Sequence, residues 1–166
     1  MSHSESDAGI KFDRRIIGQE VDLGSHYVSE DELVEYAKSL GETNPIYTDR
    51  SAAALKGPHK RIIATPGYYT AIPLRSSPDP KIQFVSDSFS YMAGQNIQNL
   101  KHIGAGDTIS ARAQVTNVYK KTGRTGSLVF VERRTTYFNQ ENDIVLIVDS
   151  SNVRSDNQDE TNGIQG

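Results

Sequence analysis

Four kinds of polar side chain crowd into Glu42-Thr43-Asn44-Pro45-Ile46-Tyr47. A carboxylate can act as a general acid or base, provided its surroundings bring its pKa near the working pH. A phenol, with an ordinary pKa of roughly 10, is a poor base at neutral pH. It still donates and accepts hydrogen bonds. Asn44-Pro45 between them is a turn initiator that can hold such a loop rigid. The sequence has no cysteine. A thiol nucleophile and a Cys-ligated zinc are therefore excluded. Its four histidines, His3, His26, His59 and His102, are far apart and show no metal-ligand spacing. Chemistry here must rest on carboxylate, imidazole or phenol, with no metal expected. His59, in Gly57-Pro58-His59-Lys60-Arg61, is the histidine best placed for proton chemistry; an exposed loop histidine is the simpler reading of it.

The elements that must carry this loop can be read from periodicity and turn residues. Ser29-Glu30-Asp31-Glu32 fits a capping box, and Leu33, Val34, Ala37 and Leu40 share one helical face before Gly41. This predicts a helix over about 30–40. A second short helix is expected at Arg50–Leu55, stopped by Gly57-Pro58. Thr65-Pro66-Gly67 predicts a third helix start, Gly67–Ile72, with Pro73 disturbing it early. Short extended segments are expected near Arg15–Val21 and His26–Val28. From residue 82 onward the texture is strand-like. Expected strands are Phe84–Tyr91, Asn96–Ile103, Thr108–Tyr119, Ser127–Phe138 and Ile144–Val153, with a hairpin turn at Ala93-Gly94. Along the fourth, Val129, Val131, Arg133, Thr135 and Tyr137 fall on one face and Phe130, Glu132, Arg134, Thr136 and Phe138 on the other. Helices first and strands afterwards give an α+β fold with an antiparallel meander.

Charge sets the boundaries. The 166 residues carry 18 Lys+Arg and 21 Asp+Glu, a net −3. Residues 1–10 hold −2 and residues 155–166 hold −3, which leaves +2 on 11–154. Both ends are rich in Ser, Asn, Asp and Gln, so they are expected to be disordered tails around one domain at 11–154. A slightly basic domain suits an anionic ligand weakly and gives no nucleic-acid footprint. Lys60, Arg61, Lys120, Lys121 and Arg124 are candidates for such a contact, although loop cations are usually just solvated. No apolar run approaches the roughly 20 residues of a membrane span, and the N-terminus is not signal-like. A soluble, cytoplasmic protein is expected.

The stretch Tyr36–Asp49, with Gly41-Glu42-Thr43-Asn44-Pro45-Ile46-Tyr47 at its centre, resembles the signature of the MaoC-like hydratases, which have the hotdog fold. Arg61–Tyr68 is similar to that family's run into its central helix. His102–Ile109 resembles its Gly-Asp-Thr approach to a strand, and the hairpin Tyr119–Thr136 resembles the N-terminal-type MaoC domain. The resemblance spans about 15–154. It implies an antiparallel curved sheet wrapped around a central helix, here the one starting near Gly67. It implies pairing as a homodimer or heterodimer with another hotdog subunit. The implied substrate is an acyl-CoA or acyl-carrier-protein thioester, so coenzyme A or phosphopantetheine enters as part of the substrate and no separate cofactor is needed. It also implies that an Asp and a His five residues later hydrate a 2-enoyl thioester or dehydrate a 3-hydroxyacyl one. This chain has Glu42 and Tyr47 at those positions. Asn44, Pro45, Gly67 and Tyr68 are the implied substrate-binding residues, with the unpaired N–H groups of the helix start at Gly67 polarising the thioester carbonyl. The expected protein is a hydratase or dehydratase subunit without its own dyad, completed by a catalytic partner. The alternatives are a stand-alone divergent hydratase using Glu42, and a non-catalytic acyl-thioester binding module or thioesterase-like hotdog.

Overall fold

Ser29 starts the first helix as its sequence requires. The hydroxyl accepts a hydrogen bond from Glu32 N at 3.2 Å, and Glu30, Asp31 and Glu32 fill the first turn. In the computed structural model, which describes residues 11–82, 90–123 and 126–156, this helix (α1) spans Glu30–Ser39. Leu33 and Ala37 are buried, whereas Leu40 is 58% exposed because the helix has already ended there. Gly41, at φ 71°, turns the chain away in the left-handed region. Asp49 caps the second helix (α2, Arg50–Lys56) by accepting from Ala52 N at 2.7 Å. No helix among the described residues is long and apolar enough to cross a membrane.

Five antiparallel strands follow or flank these helices: β1 (Val21–Tyr27), β2 (Ser90–Asn99), β3 (Thr108–Gly123), β4 (Gly126–Phe138) and β5 (Ile144–Asp156). Their order is β1-β3-β4-β5-β2. The meander is thus β3-β4-β5, with β1 and β2 at the two edges. On β4 the alternation holds: Val129, Val131 and Tyr137 are buried on one face.

The structure corrects several expectations. The hairpin at Ala93-Gly94 does not form. β2 pairs continuously with β5 from Ser90↔Arg154 to Asn99↔Leu146, and the irregularity falls as a register shift between Met92 and Gly94. A single glycine can relieve a strand locally without reversing it. The strand expected at Asn96–Ile103 accordingly ends at Asn99. Arg15–Val21 is not extended either. Asp13 caps a 3₁₀ turn at Arg14–Ile16, and the strand begins at Val21. β5 runs to Asp156, into the stretch expected as a tail. Residues 1–10, 157–166 and most of Phe84–Tyr91 lie outside the described residues.

The largest difference is at Gly67. A single 3₁₀ turn, Tyr68–Ala71, replaces the expected central helix. Pro73 has no N–H to continue a helix and blocks the residue before it from helical geometry. The chain then runs as an irregular strap over the sheet. Arg75 N donates to Leu23 O at 2.9 Å, Arg133 Nε donates to Pro78 O at 3.0 Å, and Asp79 pairs with Arg154. Ile82 closes this strap against Val115, Val118, Val129 and Val131, with Phe12 and Ile16 on the rim. The main core joins Leu33 of α1, Ala53 of α2 and Tyr68 to Ile109, Ala111, Val145 and Leu146 of the sheet. The architecture is α+β and hotdog-like, with the helical layer reduced to α1, α2 and short turns.

Candidate functional site

Three segments meet at one end of the main core: the loop after α1, the run Ile62–Tyr69, and the turn Lys101–Asp107. Backbone bonds hold the last two together. Ala64 N donates to Ile103 O at 2.8 Å, and Ala105 N to Ile62 O at 2.9 Å. Beneath them, Arg61 Nη1 donates to Ala105 O at 2.8 Å and Nη2 lies 2.8 Å from Asp107 Oδ1. Asp107 is almost fully buried and also accepts from Gly104 N at 2.8 Å. A buried carboxylate needs such partners to stay charged. Arg61 is thereby committed to the fold and is not a free phosphate contact.

Between these segments lies a cavity of about 160 Å³, whose lining includes Tyr47, Thr65, Gly67, Tyr68, Lys101 and His102. Of the six residues expected at the site, Tyr47, Gly67 and Tyr68 reach this cavity. Glu42, Asn44 and Pro45 do not line it. The Glu42 carboxylate folds back on its own loop, accepting from Thr43 N at 2.9 Å and Asn44 N at 2.8 Å. Asn44 caps the Pro45–Tyr47 turn through Ile46 N at 3.2 Å, with Pro45 at its first position. Asn44 and Pro45 therefore present Tyr47 rather than touch the cavity themselves.

Gly67 has φ 92°, where a side chain is disfavoured, and its carbonyl accepts from Tyr36 OH at 3.2 Å and Thr70 Oγ1 at 2.9 Å. Its expected role at a helix N-terminus is not available. A four-residue 3₁₀ turn sums too few peptide dipoles to make a charged end. Tyr68 is both core and lining. Burial, and then the Glu32 carboxylate beside it, push its phenol well above the ordinary tyrosine value, so it stays protonated. It closes no hydrogen bond of normal geometry, whereas His26 Nε2 sits 2.9 Å from Glu32 Oε2; His26 is the partner that holds Glu32.

Sequence reasoning missed Thr65, Lys101 and His102. Thr65 was legible only as a helix cap, yet its Oγ1 is buried in the cavity wall with no hydrogen-bond partner. His102 lay in a run whose glycines mark a turn. Its ring meets that of His59 edge-to-face, with centroids 5.9 Å apart. His59 reaches it because both His59 and Lys60 adopt left-handed backbone, φ 58° and 54°. Lys101 Nζ is tied to Asp143 at 2.6 Å. Lys121 lies over the Tyr119 and Phe130 rings on the β3–β4 hairpin, and Arg124 is outside the described residues. No group of three His, Asp or Glu side chains among the described residues could hold a metal. The cavity offers an imidazole, phenols and a free hydroxyl, which suits hydrogen bonding to a carbonyl and proton exchange with water.

A five-stranded antiparallel sheet with a short helical layer, and a cavity between the loop after α1 and the segment at Gly67, give the described residues a hotdog-like fold. The chain belongs to the family described as FAS1-like, dehydratase domain region, whose sequence profile matches residues 15–148. No curated protein sequence matches it. Among solved structures it is similar to the C-terminally truncated HadBC (3R-hydroxyacyl-ACP dehydratase) complex from Mycobacterium tuberculosis. The TM-score is 0.63 at 16% identity, covering 83% of this chain and 96% of that one. The MaoC-like dehydratase from Rhodospirillum rubrum gives 0.63 at 18% identity, over 84% and 92%. The ChsH1-ChsH2 complex from M. tuberculosis gives 0.63 at 14% identity, over 82% and 82%. At these identities the likeness speaks for the fold.

Proposed function

We propose that this chain is a subunit of an acyl-thioester hydratase or dehydratase, acting on 2-enoyl and 3-hydroxyacyl groups carried by coenzyme A or a carrier protein. It pairs with a second hotdog subunit that supplies the Asp and His. The observation that carries this reading is the split fate of Glu42 and Tyr47. Tyr47 lines the cavity, and the carboxylate is spent on its own loop. Acid–base groups contribute about 10²- to 10⁴-fold to such reactions. A site with neither group in place is slow by itself.

The free edge of the sheet supports a partner. Every residue of β2 is exposed, including Tyr91 at 53%, Met92 at 58% and Ile97 at 42%. A long, partly apolar edge strand invites pairing unless it is covered. A second hotdog sheet laid along β2 closes it, and both HadBC and ChsH1-ChsH2 were solved as complexes.

The test is co-expression with a hotdog protein carrying Asp-x-Asn-Pro-aliphatic-His, followed by assay with crotonyl-CoA and longer enoyl-CoAs. The pair is expected to hydrate at least one of them far faster than the chain alone. Full activity of the chain by itself, lost in Glu42→Gln, would sink the partner reading.

A further inference from the structure

The loop after α1 brings a tyrosine, Tyr47, to the cavity, and the imidazole there comes from a different element. Of the four histidines, His26 is bonded to Glu32, His3 is outside the described residues, and His59 is not part of the lining. His102 alone among the described histidines lines the cavity, at its exposed rim. Imidazole is the side chain whose ordinary pKa lets it take and return a proton near neutral pH. Thr65 lines the same cavity with a buried hydroxyl that has no hydrogen-bond partner among the described residues. Buried polar groups are normally bonded, so this hydroxyl calls for a partner that enters from outside. A thioester carbonyl or an ordered water has the chemistry to be that partner.

We propose that His102 is the proton-carrying group of this cavity, acting on a short 2-enoyl thioester while Thr65 holds the carbonyl or the attacking water. The proposal rests on the hydratase reading given above and deepens it. The chain then has a slow site of its own beside the faster one of its partner. The step balances with one group. Water's oxygen bonds to C3 as its proton passes to the His102 imidazole. The C2–C3 π pair moves onto C2 and the carbonyl. The imidazolium then returns its proton to C2, leaving the 3-hydroxyacyl thioester and a neutral imidazole. Water and the enoyl thioester are the only reactants.

Several titratable groups surround His102. His59 touches its ring, Lys101 precedes it with its charge tied to Asp143, and Tyr47 shares the cavity. The Tyr68 phenol stays neutral throughout.

The experiment uses the full chain with crotonyl-CoA, following both binding and turnover across pH. Wild type is expected to hydrate slowly, with a rate that falls on the acid side as one imidazole charges. His102→Gln should lower kcat about 100-fold with KM little changed and should remove that acid limb. His102→Ala should recover part of the rate when free imidazole is added, which a merely structural role would not produce. His59→Gln should keep the acid limb. Addition of crotonyl-CoA should move the His102 ring signals in NMR spectra. A His102→Gln variant that keeps its rate and its acid limb overturns the proposal. A chain that binds crotonyl-CoA without turning it over also overturns it, while leaving the partner-dependent reading intact. Neither binding nor turnover, alone or with a hotdog partner, removes the hydratase reading and this proposal together.

Discussion

Arg61 and Asp107, 46 residues apart in sequence, form one ion pair beneath the cavity: Arg61 Nη2 lies 2.8 Å from Oδ1 and 3.0 Å from Oδ2 of Asp107. Gly104 is what lets them meet. A Cβ added there would stand 2.7 Å from Arg61 Nε and 2.9 Å from Cζ. The guanidinium cannot swing aside without leaving a carboxylate that is only 4% exposed. Asp107→Ala should therefore cost about 3 kcal/mol, since the cation and Gly104 N lose their shared acceptor. Gly104→Ala should cost about 1–3 kcal/mol through strain. In an Arg61→Ala background the added methyl should cost almost nothing. Urea unfolding of the four members of that cycle measures the coupling, and equal costs in both backgrounds would refute it.

Acid stability should depend on Glu32. Burial tends to raise its pKa, but the hydroxyl of Tyr68 nearby, the bond to His26 and the Ser29 contact together bring it below the ordinary glutamate value. A carboxylate held down in the folded state stabilises above its unfolded pKa, about 4.3 for glutamate. That contribution is lost as pH falls through the lower folded value. The urea midpoint of wild type should drop as pH falls below the ordinary glutamate range, and in Glu32→Gln the drop should be smaller. Parallel curves for the two proteins would count against this role.

Pairing along β2 predicts a specific oligomer phenotype. Tyr91 and Ile97 are exposed on that edge strand, so replacing both with Lys removes apolar area and adds like charges. The double variant should be monomeric by sedimentation and keep a thermal midpoint close to that of any wild-type monomer. Wild type and variant sedimenting alike, alone and with a hotdog partner, would place the interface elsewhere.

Tyr47 and Glu42 should respond in opposite ways. Tyr47→His puts an imidazole into the cavity wall, so hydration of crotonyl-CoA by the chain alone should rise about 10- to 100-fold. Glu42→Gln keeps an oxygen that can accept from Thr43 N and Asn44 N, so rate and stability should stay within about 0.5 kcal/mol of wild type. A large loss of turnover in Glu42→Gln would make that carboxylate catalytic.

Local chemistry is what the sequence states clearly. Ser29 and Asp49 fix two helix starts because their side chains bond to N–H groups three residues on, and Asn44-Pro45 fixes a turn by the same local means. Strand alternation on β4 is legible because a half-buried strand must alternate. The absence of cysteine and the substitution at residue 47 are also plain without a structure. Tertiary structure decided the rest. Pro73 signals a short helix, but only packing shows that the strap through Pro78, Asp79 and Ile82 takes its place over the sheet. Glycine at 94 reads as a turn until the ladder with β5 holds the strand straight through it. The site itself is the sharpest case. Spacing puts Glu42 beside Tyr47; local bonds from Thr43 N and Asn44 N turn the carboxylate onto its own loop, and the fold then sets Tyr47, without Glu42, in the cavity wall. It sets His102, Thr65 and Tyr47 around one cavity instead, through long-range bonds such as Arg61 to Asp107 that no local pattern encodes.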